Sequence, residues 1–335
     1  MYKADIKRVM LRFKEPAITS RATMLEKETW IIKIQDFSNP SVFGIGEIPI
    51  FRGLSEEDTP DFEKILQEFT DGFSTENIPC LSSIRFGVES AFMDMERRKN
   101  GVMEDFSYSI NGLVWMGDKH TMARRIRQKL DAGFKCVKLK IGGIDFEDEL
   151  ELLSYIRSKF SAESLELRVD ANGAFTPENA MAKLDSLAKF NIHSIEQPIR
   201  QGQLDAMADI VRQSPVPVAL DEELIGYKSD AEKVEILERV RPHYIILKPS
   251  LCGGMEEADK WISLAKDCRI GWWATSALES NIGLCAIALW LRKYNVTMPQ
   301  GLGTGELYIN NFDSPLRMEG SELVYHSDYD FEWNL

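Results

Sequence analysis

Apolar positions keep one period near the start of the chain and another after it. Over Ile6 to Phe13 apolar and charged residues alternate, Trp30 to Ile34 is rich in β-forming residues, and Gly44-Ile45-Gly46 reads as a break before Glu47. That stretch predicts strands. Residues 55 to 70 and 81 to 98 carry helical spacing, the first opened by Ser55 with acidic residues in its first turn. From Asp105 onward short apolar runs alternate with amphipathic stretches, which is the signature of a parallel sheet wrapped by helices.

Eight strands are predicted in that second part: Tyr108 to Val114, Cys136 to Ile141, Leu165 to Asp170, His193 to Glu196, Val216 to Asp221, Tyr244 to Lys248, Gly271 to Ala274, and a weak one near Pro299 to Leu302. Helix starts between them are marked by Thr176 before Pro177 and by the capping box from Ser229 to Glu232. Eight βα units in about 200 residues fit an α/β fold of the TIM (β/α)8 type, with a short or missing last helix making it (β/α)7β. The expected division is an α+β capping domain over 1–104 and a barrel over 105–318, with a polar, strand-like segment, 319–335, returning to the cap.

With 335 residues and 44% hydrophobic content, the chain can bury a large core. Its net charge of -13, with no basic run to offset it, argues against nucleic acid or an anionic membrane as partner, so the expected ligand is a small molecule. The five cysteines, Cys80, Cys136, Cys252, Cys268 and Cys285, form no C-x-x-C pair and read as reduced, mostly buried thiols. No stretch approaches a membrane span and the N-terminus lacks the apolar core of a signal peptide, so a cytoplasmic location is expected. A homo-oligomer is compatible with this sequence, in which interface and barrel-helix faces look alike.

Lys140, Asp170, Glu196, Asp221 and Lys248 fall at or next to the C-terminal ends of strands two to six, the face where TIM-barrel enzymes keep their active sites. Consecutive members lie 30, 26, 25 and 27 residues apart, about one βα unit each, so they converge on one mouth. Three carboxylates at one point repel each other unless a cation neutralises them, and oxygen ligands select Mg2+, or Mn2+, over zinc. Two lysines flank the trio in barrel order; near a divalent cation and each other, their ammonium groups are expected to move toward the neutral form a general base requires. The implied chemistry is proton abstraction next to a carboxylate, with the metal stabilising the enediolate.

Blander readings exist for each residue taken alone. An acid after a strand is more often a helix cap or solvated turn, and a lone lysine is as readily a surface group. Lys138 shares the inward face with Lys140 and is either a helper or a structural charge. Gly142-Gly143 is more often a turn than a phosphate cradle, and Trp272-Trp273 reads as packing. Two further classes stay open, a Schiff-base aldolase using either lysine and a silent barrel that binds without catalysis.

The motifs Lys138-Leu139-Lys140, Arg168-Val169-Asp170-Ala171-Asn172, Ile195-Glu196-Gln197-Pro198, Leu220-Asp221-Glu222 and Leu247-Lys248-Pro249 resemble those of the enolase superfamily, in its muconate-lactonizing-enzyme branch. The resemblance covers nearly the whole chain. It includes Gly44 to Ser55, similar to the cap loop that closes over substrate in that superfamily. Within the branch, Ile110 to Gly117 and Ser276 to Gly283 are most similar to the o-succinylbenzoate synthase family of the menaquinone pathway. That resemblance implies dehydration of a cyclohexadiene carboxylate, with Lys140 as base and returning acid and Lys248 stabilising the enediolate from the other face. It makes Lys138, Arg168, Asn172, Glu222 and Ser276 candidates for substrate or metal-supporting contacts, and Thr19, Ser20, Arg21, Phe51 and Arg52 candidates for loops bounding the succinyl end. The segment Gln300 to Glu306 lacks the D-x-D with which dipeptide epimerases hold an ammonium. Two lysines also suit an N-succinylamino acid racemase, so that alternative stays open.

Overall fold

The computed structural model describes residues 1–19, 23–101, 104–329 and 332–333. An antiparallel sheet opens the chain: β1 (Tyr2–Ile18) pairs with β2 (Thr23–Asp36), which pairs with β3 (Phe43–Ile48). Alternation gives β2 two buried faces. Trp30, Ile32 and Ile34 pack with Phe62 and Leu66 of α1 (Phe62–Asp71) and with Ile84, Val88 and Ala91 of α2 (Ser82–Asn100), whereas Ile31 belongs to the barrel core.

Gly44 to Gly46, expected as a break, lies inside β3. The two glycines are there for close approach: a Cβ on Gly44 would sit 1.9 Å from the Ala91 carbonyl oxygen, and one on Gly46 2.1 Å from that of Gly87. Gly46→Ala is therefore expected to cost about 3 kcal/mol, read as a lowered urea midpoint with unchanged slope. The helix expected from Ser55 starts only at Phe62, since Pro60 lacks a donor N–H and biases Thr59 away from helix. Ser55 instead closes a turn, its Oγ accepting the Phe51 N–H at 2.8 Å.

After β4 (Phe106–Ser109), which stands outside the barrel sheet, strands and helices alternate in chain order: β5 (Gly112–Val114), α3 (Lys119–Asp131), β6 (Cys136–Lys140), α4 (Phe146–Lys159), β7 (Glu166–Asp170), α5 (Pro177–Ala188), β8 (Ser194–Glu196), α6 (Leu204–Gln213), β9 (Val218–Leu220), α7 (Asp230–Val240), β10 (Tyr244–Leu247), α8 (Met255–Asp267), β11 (Gly271–Ala274) and α9 (Asn281–Leu291). Strands β5 to β11 form one seven-stranded parallel sheet in sequential order. The capping box at Ser229 forms as read, and Thr176 N–H bonds Asn179 Oδ1 at 3.0 Å.

Three details differ from expectation. The predicted first strand is divided: Ile110 N–H bonds Ser321 O at 2.9 Å, while Asn111 N–H bonds Gln300 O at 3.0 Å, so the chain changes partner between neighbouring residues. The eighth strand is reduced to bridges, Ile110 to Gln300 and Thr275 to Gly301, that close the barrel; Pro299 and the glycines at 301 and 303 are poor ladder formers. The polar tail forms a hairpin, β12 (Leu316–Glu319) with β13 (Glu322–Tyr325), that pairs with β4 rather than with the N-terminal sheet. Toward α2 the segment sends Tyr325, whose hydroxyl interacts with Arg97, and Trp333, its ring 5.9 Å from the Arg97 guanidinium carbon. Cys136, Cys252 and Cys285 are buried and Cys80 and Cys268 exposed, all free. No helix among the described residues is long and apolar enough to cross a membrane.

Candidate active site

Strand register assembles the site. Lys140, Asp170 and Glu196 each end their strands and are direct neighbours across β6, β7 and β8, while Asp221 and Lys248 directly follow β9 and β10. One oxygen from each of Asp170, Glu196 and Asp221 lies within 4.8 Å of the others, and all three residues are buried. Lys138 donates to Glu196 at 2.5 Å and lies 2.9 Å from Asp170; Lys140 donates to Asp170 at 2.6 Å and to Asn172 Oδ1 at 2.7 Å; Lys248 donates to Asp221 at 2.5 Å.

These contacts set the charge balance. Burial pushes the Glu196 carboxyl up to about 7 against the pull of Lys138. Asp170 is buried too, but Lys138 and Lys140 together hold it below the usual carboxylate range. Burial opposes the charge on Lys138 and Lys248, yet the carboxylates win and hold both protons more tightly than usual. For Lys248 this is the reverse of the shift expected from the sequence. That expectation counted a cation, which would take from Asp221 the negative charge that keeps the lysine protonated.

Above the carboxylates lies a cavity of about 420 Å³, walled by Lys138, Lys140, Lys248, Asn172 and Glu222 below and by Ile50, Phe51 and Leu54 from the N-terminal segment. The enolase C-terminal domain-like family model matches residues 121–317. The o-succinylbenzoate synthase of Desulfotalea psychrophila is 42% identical to this chain over an alignment covering 93% of it and 96% of the relative. The chain belongs to the enolase superfamily, in the o-succinylbenzoate synthase family. The crystal structure of MenC from the same organism superposes with a TM-score of 0.83 at 38% identity, covering 96% of this chain and 99% of that one. Muconate lactonizing enzyme from Pseudomonas fluorescens, at 20% identity and a TM-score of 0.82 over 99% of this chain and 96% of its own, shares the fold.

Enolase-superfamily chemistry calls for a divalent cation, and the trio fits one. Glu196 Oε1 is buried without a hydrogen-bond partner, a costly arrangement for a carboxylate oxygen. The donor set is oxygen only, which suits a hard ion.

The other expected residues take varied places. Asn172 accepts from Lys140 and donates to Glu222 Oε1 at 2.9 Å, so both sit on the cavity floor. Ser276 lines the wall, its hydroxyl donating to Glu279 at 2.5 Å. Arg168 lies deeper, in the barrel interior, its guanidinium 4.0 Å from the Trp273 ring centre and bonded to Glu166 at 2.6 Å and Pro299 O at 3.0 Å. It does not reach the cavity wall. Thr19, Phe51 and Arg52 line the cavity, but Arg52 is committed to Glu28 at 2.5 Å and Asp58 at 2.7 Å. Ser20 and Arg21 lie outside the described residues. The Gly142 and Gly143 amides are filled by Glu149 at 2.6 and 3.2 Å, which leaves no phosphate cradle there.

Two supporting residues escaped the sequence reading. Gln197 adopts a φ of 38°, a region a non-glycine residue holds only when its surroundings impose it. Its Oε1 accepts the Asp221 and Glu223 amides at 3.1 and 3.2 Å, which orients the backbone carrying one carboxylate of the trio. Glu47 of β3, fully buried, accepts Thr29 Oγ1 at 2.8 Å, Ser280 N–H at 3.0 Å, Ser280 Oγ at 2.5 Å and Gly283 N–H at 2.9 Å. It thereby pins the N-terminal sheet to the first turn of α9, beside the Ser276 wall. Glu47→Ala would orphan two buried amides and is expected to lower stability by about 3 kcal/mol, measurable by urea unfolding. Both roles depend on contacts between segments far apart in the chain, although each residue stands inside a motif, E-Q-P or G-I-G-E, that was legible.

Proposed function

We propose that this protein removes water from 2-succinyl-6-hydroxy-2,4-cyclohexadiene-1-carboxylate to give 2-succinylbenzoate, the o-succinylbenzoate synthase reaction of menaquinone biosynthesis. The observation that carries the reading is Lys140 on the cavity floor, 2.6 Å from one member of the carboxylate trio. With its carboxylate on the cation that the trio would hold, a substrate would have its α carbon within the reach of this lysine.

Lys140 Nζ takes the α proton, and the C–H electron pair moves into the substrate carboxylate. Those electrons then form the new ring double bond as the C–O bond at the neighbouring carbon breaks. The departing hydroxyl receives its proton from the Lys140 ammonium, so substrate becomes product plus one water and the lysine is restored. When bound, the divalent cation supplies positive charge to the carboxylate oxygens on which negative charge accumulates. Asp170, Glu196 and Asp221 would hold it, Mg2+ or alternatively Mn2+. Lys248 places a second positive charge on the cavity wall to stabilise the same charge build-up. Residues 1–104 serve as the cap and 105–318 as the catalytic barrel, in the cytoplasm.

The test is loss of the cyclohexadiene absorbance with Mg2+ present; a rate equal to the uncatalysed one removes the reading. A second reading, racemisation of N-succinylamino acids, draws on Lys140 and Lys248 facing one cavity. It requires α-deuterium exchange from both enantiomers in D2O, and exchange from neither excludes it.

A further inference from the structure

Four lysines line the cavity, and the proposed reaction leaves Lys27 without a task. Lys27 stands on β2, on the same face as Thr29 and Ile31 by period-two alternation. Thr29 bonds Glu47 and Ile31 packs in the barrel core, so this face looks toward the barrel. The other three lysines each hold a carboxylate at 2.5 to 2.6 Å. Lys27 is 6% exposed, and its Nζ has no hydrogen-bond partner.

An ammonium buried without a partner is costly and calls for compensation. Glu47, Glu279 and Glu28 act on it electrostatically, but their oxygens are engaged elsewhere: those of Glu47 by Thr29, Ser280 and Gly283, those of Glu279 by Ser250 and Ser276 at 2.5 Å each, and those of Glu28 by Arg8 and Arg52. Burial outweighs their pull and loosens the Lys27 proton relative to an ordinary lysine. Thr304 Oγ1, on the same cavity wall, is likewise buried and unpartnered, and so is Asn111 Oδ1, whose amide can present either end by rotation. Three polar groups with unmet bonding capacity thus line a cavity otherwise rich in apolar side chains.

The substrate carries a second carboxylate, at the end of its succinyl chain, that the cation and Lys140 do not use. We infer that Lys27 is the specificity residue for that remote carboxylate, pairing with it inside the cavity while the Thr304 hydroxyl donates a further hydrogen bond. The inference rests on the function proposed above. It explains an orphaned charge at the cap: the substrate completes the ion pair, so a ligand without the terminal charge leaves Lys27 buried and unpaired.

The experiment first confirms wild-type turnover of the cyclohexadiene with Mg2+; its absence overturns the function reading and this inference with it. Calorimetry then measures binding of 2-succinylbenzoate and of its analogue with a terminal amide to the wild type, Lys27→Met and Lys27→Arg, all with Mg2+. The wild type is expected to prefer the acid at least tenfold, the value of a charge-assisted hydrogen bond. Lys27→Met is expected to bind acid and amide alike, with KM raised at least tenfold and kcat changed less than about threefold, and Lys27→Arg to keep part of the preference. A merely structural lysine would weaken both ligands by one factor and leave the preference intact, which would overturn the inference. Equal binding of acid and amide by the wild type would overturn it without any variant, whether or not Lys27→Met folds.

Discussion

Lys140→Ala is expected to lower kcat by about four orders of magnitude or more while the protein stays folded and still binds Mg2+. The magnitude follows from the proposed role: general acid–base catalysis contributes about 10² to 10⁴-fold per proton transfer, and in the proposed reaction one amine both takes the proton and returns it. The fold should survive because the truncation removes only the bonds to Asp170 and Asn172. Asp170 keeps Lys138 at 2.9 Å, and Asn172 keeps its bond to Glu222. Absorbance at the diene band reads the rate, circular dichroism the fold, and calorimetry the metal. Near-normal turnover would move the base elsewhere, with Lys248 as the first alternative. Loss of metal binding alongside activity would show that the lysine had been acting through Asp170.

Glu196→Gln is expected to weaken divalent binding at least about 100-fold and to remove turnover at ordinary Mg2+ concentrations, through loss of one charged oxygen from a three-carboxylate set. Glu196 is the most informative of the three because its two oxygens are unequally engaged. Oε2 accepts from Lys138 at 2.5 Å, whereas Oε1 is buried and unpartnered. A glutamine keeps the shape and removes the charge, so a change in affinity reports on the ion rather than on packing. Calorimetric titration of metal-stripped protein with MgCl2 measures it directly. An affinity equal to that of the wild type would mean the trio is not the metal site, and the shared 4.8 Å neighbourhood would then be an acid cluster held by Lys138, Lys140 and Lys248.

The two experiments separate functions that the geometry ties together. Lys140 and Lys138 share the Asp170 Oδ2 atom, at 2.6 and 2.9 Å. Effects of changes here are therefore expected to be non-additive, and double variants are needed before any residue is given its own share.

Much of this protein was legible in its sequence because it is written in short-range periods. The spacing from Lys140 to Lys248 reflects the length of a βα unit, which the chain itself dictates, so the residues that end or follow β6 to β10 had to meet on one face. Helix starts at Thr176 and Ser229 depend on neighbours three residues away, and they too could be read directly. Where an element depends on a distant partner, local pattern failed. Tyr108 to Val114 looks like one strand, yet it divides where its partner changes from the C-terminal hairpin to the barrel. Gly44 and Gly46 look like a break, yet they are strand residues under a helix that approaches too closely for a Cβ.

The cavity floor follows the same rule. By itself the sequence determined the carboxylate trio and its two flanking lysines, since strand ends in a parallel barrel must share one rim. Only the tertiary structure decided what surrounds them: Glu47 bonded to the first turn of α9, Gln197 holding the Asp221 backbone, Arg168 withdrawn beneath the floor, and Lys27 in the cavity wall with no partner. Each of these depends on which groups remain unpaired after segments as much as about 230 residues apart have docked. Hydrogen-bond satisfaction is a property of the packed whole, and no local period encodes it.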